Sequence, residues 1–72
     1  MQRRPIRSTS LKAVGYDADT LTLEIEHRSG SLVRYVGVPD AVYQALLAVA
    51  GKAMFVMQVV ERGGYEREQV RG

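Results

Sequence analysis

Cysteine and tryptophan are absent from this 72-residue chain, and histidine and phenylalanine occur once each. Without cysteine there is no disulfide framework, no thiolate metal ligand and no thiol nucleophile. A single histidine, His27, excludes every metal motif built on a histidine pair. No apolar run approaches a membrane span, and nothing after the opening MQRRPIRS resembles the apolar core of a secretory signal, so the expected setting is the cytoplasm. Charge of one sign is also scarce. Ten basic residues against eight acidic ones leave a formal +2, too little for bulk electrostatics alone to imply nucleic-acid or membrane binding. No phosphate-cradling glycine pattern and no internal repeat is present.

What remains is the composition of an ordinary globular protein, 46% apolar and 25% charged, which argues against disorder. The length allows one small domain, 1–72. Such a domain buries only about 60% of its unfolded surface. The charges are unevenly placed. Arg3, Arg4, Arg7 and Lys12 occupy the first twelve residues with no acid among them, whereas Arg62, Arg67 and Arg71 are diluted by Glu61, Glu66 and Glu68. The ordered core is expected over about 6–65, between a basic N-terminal arm and a frayed C-terminal tail.

Along the chain, residues 11–16 read as a short strand ended by Asp17-Ala18-Asp19. Residues 20–27 alternate cleanly: Leu21, Leu23, Ile25 and His27 point one way, and Thr20, Thr22, Glu24 and Glu26 the other. Ser29-Gly30 supplies a hairpin turn, and residues 32–38 return as the next strand. A two-residue loop there sets Leu23 opposite Val36 and Leu21 opposite Val38, with Arg34 beside Ile25.

Pro39 suits the first turn of a helix and Asp40 complements the positive end of its dipole. Val42, Leu46, Val49 and Ala50 recur on one helical face, widened by Tyr43 and Leu47, and Gly51 is a natural stop. Residues 52–61 fit either a β-branched strand or a helix whose face carries positions 55, 56, 59 and 60. Strands first and helices after give an α+β fold: a three-stranded antiparallel β-meander with one face covered by helices.

The order of these signals carries a resemblance. Ser8-Thr9-Ser10, Val14-Gly15-Tyr16-Asp17, residues 21–26, Arg34-Tyr35-Val36-Gly37-Val38-Pro39, Tyr43 and Leu46, then Lys52 and Phe55, together resemble the KTSC domain over roughly residues 6–65. That family is named for the C-terminal region of some lysyl-tRNA synthetases and includes stand-alone bacterial proteins. The resemblance implies strands followed by helices and favours a helix for 52–61, giving a three-stranded antiparallel β-meander followed by two helices packed on one face. It implies a domain of uncharacterised function, for which the synthetase association suggests RNA binding. Two departures stand out. The family's central Tyr-x-Tyr is Val33-Arg34-Tyr35 here, and its Phe-Phe-Asn-like run is Phe55-Val56-Met57.

Catalytic chemistry finds no constellation. Ser8 or Ser10 with His27 and Asp17 supplies residue types but neither a nucleophile elbow nor an oxyanion signature. His27, at a strand end, reads as a residue of the core rim. Glu24 and Glu26 read as the solvated face of a half-buried strand, repelling phosphate from an open sheet. No metal and no cofactor is expected. The expected function is a non-catalytic binding module. RNA or another nucleic acid would be held through Arg3, Arg4, Arg7 and Lys12, with Arg34, Tyr35, Arg62 and Tyr65 supplying charge and stacking. The alternative is protein interaction or self-association through an exposed Val33, Tyr35 and Val36 strand.

Overall fold

The computed structural model describes residues 2–72. Its central strands are those the alternation marks: β2 (Leu11–Asp17), β3 (Thr22–His27) and β4 (Leu32–Val36). Two further strands flank them, β1 (Arg3–Pro5) and β5 (Glu66–Arg71), making a five-stranded antiparallel sheet in the order β1-β2-β3-β4-β5. The sheet therefore has five strands where the pattern predicts three. The expected basic arm and frayed tail are its two edges.

The reason lies in what sequence periodicity detects. Half-buried strands alternate because one face meets the core. Both edge strands are exposed at every residue, so nothing forces RRP or EREQVR to alternate apolar with polar. Backbone hydrogen bonds to β2 and β4 hold them instead. Proline on one edge and dense charge on the other also leave each edge unattractive to a foreign strand.

Between β4 and β5 the chain forms α1 (Asp40–Ala48) and then a short α2 (Lys52–Phe55), which continues as a π-helical stretch, Val56–Glu61. The ambiguous 52–61 segment is thus helical. Pro39 precedes α1 in an extended conformation and Asp40 lies in its first turn. The helix ends before Gly51, and the Lys52 ammonium donates to the Leu47 carbonyl at 3.2 Å and to the Val49 carbonyl. Those carbonyls would otherwise lack partners at the helix end. At Gly63 the chain turns back so tightly that a β-carbon would lie 2.5 Å from both the Tyr65 ring and the Val59 carbonyl.

One face of the sheet carries the core. Val14, Leu23, Ile25, Val33 and Tyr35 pack with Val38, Leu46, Val56 and Val60 from the helical side. Tyr16 and Tyr43 stack over it with ring centroids 4.8 Å apart, and the Tyr16 hydroxyl donates to the Val38 carbonyl at 2.5 Å.

The β3–β4 hairpin differs from the expected register by one residue. His27 and Ser31 close the loop, Gly30 has φ of 99°, and its amide donates to the His27 carbonyl. This is a turn followed by a left-handed glycine, with Arg28-Ser29-Gly30 in the loop rather than Ser29-Gly30 alone. Leu23 consequently faces Tyr35, Ile25 faces Val33, and Glu24 faces Arg34. A slip of one residue exchanges the two faces of a strand. Leu21, expected opposite Val38 in the core, is instead exposed in the β2–β3 loop with φ of 54°, though its carbonyl accepts from the Gly37 and Val38 amides.

Candidate functional site

The sheet face away from the helices is organised around one carboxylate. Register aligns Arg3, Gly15, Glu24, Arg34 and Glu68 in a row across all five strands. Gly15 has no side chain, so Arg3 passes over β2 and its Nη1 donates to Glu24 Oε1. From the other side Arg34 Nε donates to Glu24 Oε2 at 2.7 Å, and Arg34 Nη1 lies 3.5 Å from Glu68. Glu24 is only 1% exposed. Burial alone would raise its carboxyl, but hydrogen bonds from Arg3 and Arg34, with their charges, outweigh that and hold it below the ordinary glutamate value.

Glu26 extends the network. It accepts from Arg3 Nε at 3.2 Å and from Arg71 Nη2 at 3.0 Å. The expectation of a solvated, phosphate-repelling glutamate pair is therefore corrected. Glu24 is buried beneath two guanidinium groups, and three arginines balance three glutamates across this face.

Residues singled out from the sequence separate into groups. Arg3 and Arg34 belong to that network, with their charge already paired. Tyr35 is 2% exposed and packs in the core, where burial raises its phenol and Arg67 partly opposes the shift. Tyr65 is half-buried against the core. Arg62 is exposed in the turn after the π-helical stretch. Arg4, Arg7 and Lys12 are exposed and make no ion pair among the described residues. The alternative patch does not form: Val33 and Tyr35 are both buried and Val36 alone is exposed. The same register explains the departure at Val33, whose side chain fills the core opposite Ile25.

Arg28 went unrecognised in the sequence. Its backbone amide donates to the Ser10 carbonyl and its Nε to the Ser8 carbonyl, both at 2.9 Å, tying the β1–β2 turn to the β3–β4 turn. Ser8 Oγ in turn accepts from the amides of Ser10 and Leu11 at 3.3 and 3.2 Å. Only the three-residue reading of the hairpin loop would have placed Arg28 at its start, facing the first turn. His27, half-buried at the end of β3, has its amide on the Ser31 carbonyl. Among the described residues no helix is long and apolar enough to cross a membrane.

Comparison with known proteins matches residues 7–69 to the KTSC domain. An uncharacterized protein of Stutzerimonas stutzeri (strain A1501) is 49% identical over 47 residues, which cover 65% of this chain and 66% of that protein, just under two thirds of its length. The crystal structure of a KTSC domain protein from Yersinia pestis aligns with a TM-score of 0.89 and 30% identity over 96% of each chain.

Proposed function

We propose, from the premise that this chain belongs to the KTSC domain family, that it is a small non-catalytic binding module acting on nucleic acid in the cytoplasm. The observation that carries this reading is the separation of its cations into paired and unpaired sets. Arg3, Arg34 and Arg71 are held by glutamates, so the open sheet face presents balanced charge. Arg4, Arg7 and Lys12 are exposed in a stretch, residues 2–16, that contains no carboxylate. Cations of this kind contact phosphates without reading bases, which gives weak, salt-dependent binding. Base stacking on Tyr35 is not part of the mechanism, because its ring lies in the core.

An amide NMR titration with a short mixed-sequence RNA at about 50 mM and then about 200 mM salt tests the reading, since phosphate contacts weaken sharply over that range. Shifts confined to the N-terminal cations and the adjoining turns, fading at the higher salt, are expected. No shift at the lower salt would sink the proposal.

A further inference from the structure

The geometry points to a discrete phosphate-contact site where the turn of residues 6–10 meets the turn of residues 28–31, with Arg28 as its central donor. This deepens the nucleic-acid reading and rests on it, because the phosphate is taken to be one of an RNA backbone.

Three features converge there. First, Arg28 is held but not satisfied. Its amide and its Nε are spent on Ser10 and Ser8, which fixes the plane of the guanidinium. Its two Nη groups have no protein acceptor among the described residues, and the side chain is exposed. A guanidinium anchored through one edge presents the other as a ready fork for two phosphate oxygens.

Second, Ser8 Oγ already accepts two amides, so its hydroxyl proton remains available to donate. Third, the charge is uniform. Residues 6–12 and 27–31 contribute Arg7, Lys12 and Arg28 and contain no aspartate or glutamate. The adjoining carboxylate in sequence, Glu26, is occupied by Arg3 and Arg71. Donors and positive charge are what a phosphate group requires, and Arg71, which also donates to the Gly30 carbonyl, keeps the nearby Glu26 carboxylate engaged.

Arg28→Gln isolates the contact. The glutamine Nε2 stands where the arginine Nε stands, so it can keep the bond to the Ser8 carbonyl while the Nη donors and the charge are lost. The free spectrum of the variant should retain the wild-type amide positions of residues 8–10. Its affinity for the RNA at about 50 mM salt should fall several-fold, and the slope of log affinity against log salt should shrink by roughly 0.7, the value for one single-strand phosphate contact. Arg67→Gln, the same loss of charge toward the far end of β4 and β5, should leave that slope unchanged. Wild-type affinity and slope in Arg28→Gln would overturn the site while the nucleic-acid reading stands. If RNA produces no shifts, the proposal falls with the nucleic-acid reading it rests on, even where inorganic phosphate alone moves residues 8–10 and 28–29. If neither probe shifts these residues, both proposals fail.

Discussion

Arg34 lies directly across from Glu24 in the β3–β4 pair and donates to its Oε2 at 2.7 Å, while Arg3 donates to the other carboxylate oxygen from two strands away. Both oxygens of a buried carboxylate are thereby used. Glu24→Gln keeps the shape, removes the charge, and leaves two guanidinium groups facing one neutral amide. This substitution should destabilise the domain by about 2 kcal/mol, in the range for hydrogen bonds to a charged group. Urea unfolding would check it. A loss below about 0.5 kcal/mol, typical of exposed pairs, would mean the network behaves as ordinary surface charge.

The same carboxylate makes stability depend on acid. Its folded pKa is lowered from 4.5, so the unfolded chain binds the proton more tightly than the folded one. The contribution of Glu24 is therefore present in full above the unfolded value and is lost as the pH falls through the folded value. Chemical unfolding between pH 7 and pH 3 should show stability declining below about pH 5. The decline should be shallower in Glu24→Gln. Identical profiles for the two proteins would show that Glu24 is not a source of the acid sensitivity.

Gly30 is the residue that makes the three-residue hairpin loop possible, with φ of 99°. Gly30→Ala meets no neighbouring atom within 4 Å, so its cost is conformational alone. Melting temperatures should report a loss of about 1 kcal/mol, with Ser29→Ala near neutral as the control. A neutral Gly30→Ala would contradict the loop geometry and the register that follows from it.

Leu21 is a bulky residue at φ of 54°, a conformation natural to glycine. Leu21→Ala and Leu21→Gly both remove the partly exposed side chain, and they differ in the backbone preference. The glycine variant should be the more stable of the two by about 1 kcal/mol, reversing the usual order in regular structure. Denaturation midpoints of the pair decide the matter directly.

Lys52 closes α1 through the Leu47 and Val49 carbonyls. Lys52→Met preserves the aliphatic stem and removes the ammonium. A loss of about 1 kcal/mol is expected, together with faster hydrogen exchange in the last turn of α1. Unchanged exchange there would assign Lys52 no capping role.

Much of this architecture is visible in the sequence because burial on one side leaves a period. The alternation over β3 and the apolar stripe around Val42 and Leu46 locate a strand and a helix, and Pro39 with Asp40 marks the helix start. The edge strands are invisible for the same reason, since Arg3–Pro5 and Glu66–Arg71 bury no side chain. β4 presents a different difficulty. Leu32-Val33-Arg34-Tyr35-Val36 is apolar at four of its five positions, so either face could meet the core. Its pattern therefore cannot choose between registers one residue apart. That single ambiguity moved Tyr35 and Val33 from an expected exposed patch into the core, and placed Arg34 beside Glu24 instead of Ile25.

The sequence by itself determined the class of fold, the three inner strands, the family resemblance, and the absence of thiol and paired-histidine chemistry. These depend on residue type and local period, which the chain carries wherever it goes. Only the tertiary structure decided which arginines are paired, that Glu24 is buried, and that Arg28 joins two distant turns. Those properties belong to neighbours brought together by strand register, and a shift of one residue changes every cross-strand neighbour while leaving the sequence pattern of each strand unaltered.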